Sequence, residues 1–108
     1  MNKKLLLIFN PHSGKAKIKS KLFDIVNIFA KDGWEIQAYP TQRENDAYEF
    51  IKERGAEFDR IVASGGDGTL NEAVRGIMSI SKDSRPELGY IPAGTVNDFA
   101  SNLKIPKN

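Results

Sequence analysis

Arg60-Ile61-Val62-Ala63-Ser64-Gly65-Gly66-Asp67-Gly68-Thr69-Leu70-Asn71-Glu72 is the stretch on which the reading of this chain turns. An apolar run through Ile61, Val62 and Ala63 leads straight into the glycines. An amphipathic run, Leu70, Ala73, Val74, Ile77 and Met78, leads out of them. A buried strand therefore ends in a glycine turn, and the turn opens a helix. In an open α/β sheet such a turn lies at the carboxyl edge, where ligands bind.

The residue types at that turn suit an anion. Gly65, Gly66 and Gly68 lack a Cβ, so backbone N–H groups there can approach a phosphate closely. The helix start adds positive dipole and N–H donors without intrahelical partners. Asp67, between glycines, repels a bare phosphate, and a divalent cation between carboxylate and phosphate reverses that sign. The segment suggests a Mg-nucleotide site, with Asp67 reaching the metal through the bound nucleotide. A plainer reading stands beside it. Gly-Asp-Gly is also an ordinary turn, and Thr69 with Glu72 has the spacing of a capping box. Capping accounts for Thr69 and Glu72. It does not account for three glycines around one aspartate directly after a buried strand.

Composition sets the outer limits. The chain has 108 residues, enough for one small domain, with 40% hydrophobic and 28% charged residues, which is globular rather than disordered. A formal net charge of +2 gives no case for nucleic-acid binding. Cysteine is absent, which excludes disulfides and thiolate metal sites and is compatible with a cytoplasmic location. The single His12 cannot form a histidine metal cluster. No stretch approaches transmembrane length. Met1 to Phe9 faintly resembles a signal peptide, but its apolar core is too short, and a first strand is the better reading.

Strand and helix alternate along the chain. Leu5 to Phe9 is a continuous apolar run, the mark of a strand covered on both faces. Ile18, Leu22, Ile25, Val26 and Phe29 recur at helical spacing, and Asp32-Gly33 closes that helix. Trp34, Ile36 and Ala38 alternate with polar residues up to Pro40, predicting a second strand near an edge. A second helix is predicted from about Asp46 to Arg54, stopped at Gly55. The third strand covers Arg60 to Ser64 and the third helix Leu70 to about Ile80. Leu88 to Ile91 is a short fourth strand ended by Pro92, and Val96 to Leu103 suits a last short helix. The pattern implies an α/β fold, an open, mainly parallel sheet with helices on both faces. Leu103 to Asn108 reads as a strand or linker just beginning, as in the first domain of a longer protein.

Two common phosphate motifs fail. A P-loop needs Gly-Lys-Ser/Thr, and Gly14-Lys15 is followed by Ala16. The Rossmann fingerprint needs a third small residue, and Asn71 stands there after Gly66-x-Gly68. Three other loops fall at the same predicted edge: Asn10 to Gly14, Thr41, and Pro92 to Asp98. Each supplies hydroxyls, amides or glycine N–H groups, the chemistry of phosphate and ribose recognition.

Gly65-Gly66-Asp67-Gly68-Thr69 resembles the signature shared by diacylglycerol kinases, sphingosine and ceramide kinases, NAD kinases and phosphofructokinases. Asn10-Pro11-x-Ser13-Gly14 and Pro92-x-Gly94-Thr95-x-Asn97-Asp98 narrow the resemblance to the diacylglycerol kinase catalytic domain, closest to the bacterial soluble lipid kinases. The three motifs span almost the whole chain, in order. The resemblance implies a Rossmann-like nucleotide-binding domain over residues 1–108 that takes ATP and Mg²⁺. It implies Asn10, Ser13, Gly14 and Thr41 near the nucleotide, and Gly65, Gly66, Asp67, Gly68 and Thr69 at the triphosphate. Asn71 and Glu72 would lie in the following turn, with Thr95 facing them. Asn97 and Asp98 match the motif, with a structural role as open as ligand contact. A second, β-rich domain carrying the catalytic base and the lipid site is implied and absent from this chain. The expected partners are ATP and a lipid such as diacylglycerol, with the protein cytoplasmic or peripheral at a membrane surface. A homodimer is left open. Lys15 and Lys17 suit either a solvated helix start or an anionic membrane. The alternatives are a NAD or sugar kinase sharing the glycine signature, or a non-catalytic nucleotide sensor.

Overall fold

Leu5, Leu6, Leu7 and Ile8 are all fully buried, and this run forces the architecture. Side chains alternate across a strand, so such a run must be covered on both faces. The computed structural model describes residues 3–12 and 17–92, with residues 17–20 described by their backbone alone. The predicted last helix, Val96 to Leu103, lies outside the described residues. Four strands, β1 (Lys3–Phe9), β2 (Trp34–Pro40), β3 (Arg60–Gly65) and β4 (Glu87–Pro92), form one sheet in the order β2-β1-β3-β4. All three pairings are parallel. The helices are α1 (Lys17–Lys31), α2 (Asp46–Arg54) and α3 (Asp67–Met78).

The alternation in β1 divides the core in two. Leu5, Leu7 and Phe9 join Val62, Ile91 and Trp34 under Ile25 and Phe29 of α1. Leu6 and Ile8 join Ile61 and Ala63 under Ala47 and Ile51 of α2 and Ala73 and Ile77 of α3. Helices thus cover both faces, and β2 lies at an edge, as its polar alternation implied. At the amino edge of the sheet, Trp34 is flanked by Lys3 Nζ at 4.6 Å and Arg60 Cζ at 4.7 Å from its ring. Arg60 is in turn held by Glu87 at 2.7 Å.

The largest difference from the sequence reading is the start of α3. It begins at Asp67, three residues before Leu70, with Gly66 as its N-cap in extended conformation. An acid at the first helical position complements the positive helix end, so Asp67-Gly68-Thr69 is helix rather than loop. The helix ends at Met78 rather than Ile80. Arg85 folds back there, and its guanidinium donates to the carbonyls of Met78 and Ile80. The end of α2 at Gly55 agrees with expectation, but for another reason. Gly55 is right-handed (φ −60°), and the chain runs on into a 3-10 turn over Gly55–Glu57. Space explains the glycine: a Cβ would lie 2.9 Å from both Ile51 Cγ2 and Ile80 Cδ1.

Gly76 sets the contact between α2 and α3 in the same way. A Cβ there would lie 2.8 Å from Ile51 Cβ and 3.2 Å from the Tyr48 carbonyl oxygen. Alanine is the better helix former by about 1 kcal/mol, yet overpacking typically costs about 1–3 kcal/mol, and a backbone carbonyl does not rotate away. Gly76→Ala is therefore expected to lower stability, read as a fall in the urea midpoint with unchanged m value.

Candidate functional site

The order β2-β1-β3-β4 has its reversal between β1 and β3. The chain leaves β1 for β2 on one side, then crosses to β3 on the other. In open parallel sheets the crevice outside the carboxyl ends at this point is where ligands bind. Main-chain bonds tie the loops there together. The Asn10 N–H donates to the Ser64 carbonyl at 3.1 Å, and the Thr41 N–H to the Phe9 carbonyl at 2.8 Å. A cavity of about 390 Å³ opens at this edge, within the roughly 300–1,000 Å³ usual for small ligands. Asn10 and His12 line it from the β1 loop, Thr41 to Glu44 from the β2 loop, and Gly68, Thr69 and Glu72 from α3.

The three glycines of the turn have different roles. Gly65 is required by the fold: its φ is +157°, and a Cβ would lie 2.5 Å from Thr69 Oγ1 and 2.8 Å from Thr69 Cβ. Gly66 and Gly68 are exposed, and a Cβ on either would meet nothing within 4 Å. Neither has a positive φ. Within the described residues, nothing in packing or backbone geometry asks for glycine at those two positions. The open space lies above a helix start with no side-chain cap, whose first internal bond is Leu70 N–H to the Gly66 carbonyl. The N–H groups preceding Leu70 have no intrahelical acceptor. A polyphosphate fits such a cradle. Among the described residues no group of three metal-ligating side chains occurs. Asp67, exposed at the first turn of α3, is a single carboxylate. A Mg²⁺ ion there would take its remaining ligands from phosphate and water, the usual mode for nucleotide-bound magnesium.

Other residues singled out in the sequence are placed as follows. Asn10 Oδ1 accepts from the His12 N–H at 2.9 Å, shaping the β1 loop at the cavity. Thr69 is buried beneath Gly65 and borders the cavity. Asn71 Oδ1 accepts from Arg75 Nε at 2.9 Å. Glu72 does not close a capping box on its own helix. Its two carboxylate oxygens accept the N–H groups of Asn45 (2.9 Å) and Ala47 (3.1 Å), so it caps α2 across the helix pair. Ser13, Gly14, Lys15, Thr95, Asn97 and Asp98 lie outside the described residues, as does the side chain of Lys17.

Sequence reasoning missed the residues that hold the β2 loop. Asp46 is buried, and its carboxylate accepts the Gln42 N–H at 2.7 Å, the Tyr39 hydroxyl at 2.8 Å and Arg43 Nη1 at 3.0 Å. The bond to Asp46 raises the Tyr39 pKa above its ordinary value of 10.0, with burial acting the same way. Asn45, the N-cap of α2, is left-handed (φ 70°), and its Oδ1 accepts Arg75 Nη2 at 2.9 Å. Tyr90 was also missed. Its hydroxyl donates to the Gly65 carbonyl at 2.8 Å. Burial, and then the charge of Asp67, raises the Tyr90 pKa. An acid beginning a helix after a polar loop was the available signal for Asp46. Nothing local distinguishes Tyr90 from any strand tyrosine.

Comparisons with known proteins identify the family and the fold. The family model for the diacylglycerol kinase catalytic domain matches residues 4–108, and the chain belongs to that family. It is 45% identical over 109 aligned positions to a diacylglycerol kinase of Staphylococcus aureus (strain bovine RF122 / ET3-1), and 44% identical to one of Staphylococcus epidermidis. Each alignment covers all of this chain and 34% of the relative, so the chain spans about a third of their length. A crystal structure of a diacylglycerol kinase from Bacillus anthracis str. Sterne superposes with a TM-score of 0.75 at 35% identity, covering 98% of this chain and 38% of that one.

Three outcomes follow from the site's construction. Gly65→Ala is expected to destabilise by about 1–3 kcal/mol, from strain and overlap with Thr69. Gly66→Ala and Gly68→Ala should leave the thermal midpoint nearly unchanged, or raise it at Gly68, while weakening polyphosphate binding in calorimetry. Glu72→Ala, which leaves two α2 N–H groups without their acceptor, should lower stability by about 1–2 kcal/mol in denaturant titration.

Proposed function

We propose that this chain is the nucleotide-binding part of a lipid kinase that moves the γ-phosphoryl group of ATP to a lipid hydroxyl such as that of diacylglycerol. The single observation that most supports it is the open space over Gly66 and Gly68, at a helix start on the switch-point edge. Steric and backbone constraints among the described residues leave those glycines without another purpose, and a close-lying polyphosphate supplies one. Family membership and the names of the relatives favour ATP and diacylglycerol over the NAD or sugar acceptors that the glycine signature alone leaves open.

In this reading the N–H groups at the start of α3 donate to the phosphate oxygens and fix the transferring group in line. Such transfer depends chiefly on positioning and charge stabilisation. Asn10 and Thr41, on the adjoining loops, would meet the nucleoside side, with Ser13, Gly14 and Thr95 assigned there by resemblance. Asp67 would hold Mg²⁺ against the phosphates, and that ion supplies neutralisation of their charge. Glu72 is committed to two α2 N–H groups and is a poor candidate for the base that accepts the lipid hydroxyl proton. That base, and the lipid site, are assigned to a further β-rich domain in the part of the relatives this chain does not span. Access to lipid would come by peripheral contact with a membrane; no helix among the described residues is long and apolar enough to cross one.

The test is a phosphorylation assay of the full gene product with diacylglycerol in mixed micelles, beside NAD and sugar acceptors. Phosphorylated lipid formed only with Mg²⁺ and ATP is the expected result, and turnover of another acceptor alone overturns the reading. Asp67→Ala should reduce turnover by at least about 100-fold, in the range seen when one charge-stabilising group is removed, without loss of fold. Near-normal activity of the folded variant would remove Asp67 from the mechanism.

A further inference from the structure

We propose that Tyr90 is a positioning residue that sets the direction of the Gly66 N–H in the anion cradle. The inference rests on the nucleotide reading above. The peptide between Gly65 and Gly66 joins two residues without side chains, so local sterics restrain its rotation least of any in the chain. A side-chain bond restrains it: the Tyr90 hydroxyl donates to the Gly65 carbonyl at 2.8 Å. In a trans peptide the C=O of one residue and the N–H of the next point in opposite directions, and no cis peptide occurs among the described residues. Holding the Gly65 carbonyl towards Tyr90 therefore turns the Gly66 N–H away from it. Tyr90 belongs to β4, on one side of β3, and β1 lies on the other. The N–H so directed stands at the head of α3, whose next residues Gly68 and Thr69 line the cavity together with the loops after β1 and β2.

The anchor itself is well held. The Tyr90 ring is partly buried against the core layer beneath α2 and α3, which limits how far the hydroxyl can swing away. Burial, and after it the charge of Asp67, raises the pKa of this phenol. A protonated phenol is the form that can donate to a carbonyl. The contribution to phosphate binding runs through the backbone, and Tyr90 need not touch the ligand.

The experiment compares wild type, Tyr90→Phe and the core control Ile77→Val in the full gene product. Tyr90→Phe keeps the ring and removes only the donor. The expected result is an ATP KM raised about tenfold, equivalent to about 1.4 kcal/mol, the size of one hydrogen bond to a charged group. The diacylglycerol KM and the Ki of adenosine as competitor should not move, because neither depends on the phosphate cradle. Ile77→Val should be destabilised and keep its ATP KM. A second route avoids any change of packing: fluorinated tyrosine at position 90 lowers the phenol pKa. ATP affinity should then fall with rising pH in step with that titration, where wild type is flat. An unchanged ATP KM in folded Tyr90→Phe, equal weakening of adenosine and ATP, or a flat profile for the fluorinated protein overturns the inference. Failure of wild type to bind ATP at all overturns the nucleotide reading and this inference with it.

Discussion

The passage from β3 into α3 takes a single extended residue, and most of the molecule depends on that abruptness. β3 is buried along its length at the centre of the sheet. Its last residue, Gly65, lies against the Thr69 side chain so closely that a Cβ would overlap it. Thr69 can return over the strand end only because Gly65 has no side chain. That return brings the first turn of α3, with its unpaired N–H groups, to the carboxyl edge beside the β1 loop. Were the turn longer, the helix start would stand away from the switch point and its N–H groups would face solvent at large.

Around this junction, polar side chains do what short loops cannot. The loop after β2 has no strand partner beyond Thr41, yet it forms a cavity wall. Asp46 gathers the Gln42 amide, Arg43 and Tyr39 on one carboxylate. Glu72 and Arg75 reach from α3 to Asn45 and Ala47 at the start of α2. A buried carboxylate accepting several donors is fixed in place. The loop is in this way referred to α3, the same helix that carries the glycine cradle. Both walls of the cavity thus share one frame, set by the close α2–α3 contact at Gly76.

Electrostatics at the cradle oppose one another by design of the sequence. The helix start favours an anion, and Asp67 at its first turn disfavours one. A carboxylate there stabilises α3 when no ligand is bound, because it neutralises the same helix end that a phosphate would. In the proposed function a divalent cation converts that competition into a shared site. Tyr90 bears on the same turn, since its hydroxyl donates to the Gly65 carbonyl.

Sequence by itself determined the alternating elements, the doubly covered β1, the edge position of β2 and the strand-turn-helix at the glycines. These follow from local periodicity and turn chemistry: Leu5 to Phe9 cannot be satisfied by a one-sided sheet, and Gly65-Gly66 cannot continue a strand well. The three motifs also sufficed for the family. Tertiary structure decided what each glycine and each carboxylate is for. Gly55 and Gly76 exist for close contacts with Ile51, whose neighbourhood no spacing reveals. Gly65 serves the fold while Gly66 and Gly68 stand open, though the three look alike in the chain. Glu72 has the spacing to cap its own helix and instead caps α2, because the crossing at Gly76 brings those N–H groups within reach. Side-chain partners separated by 25 or 27 residues, as Tyr90 from Gly65 and Glu72 from Asn45, are set by packing geometry, and local pattern carries no record of it.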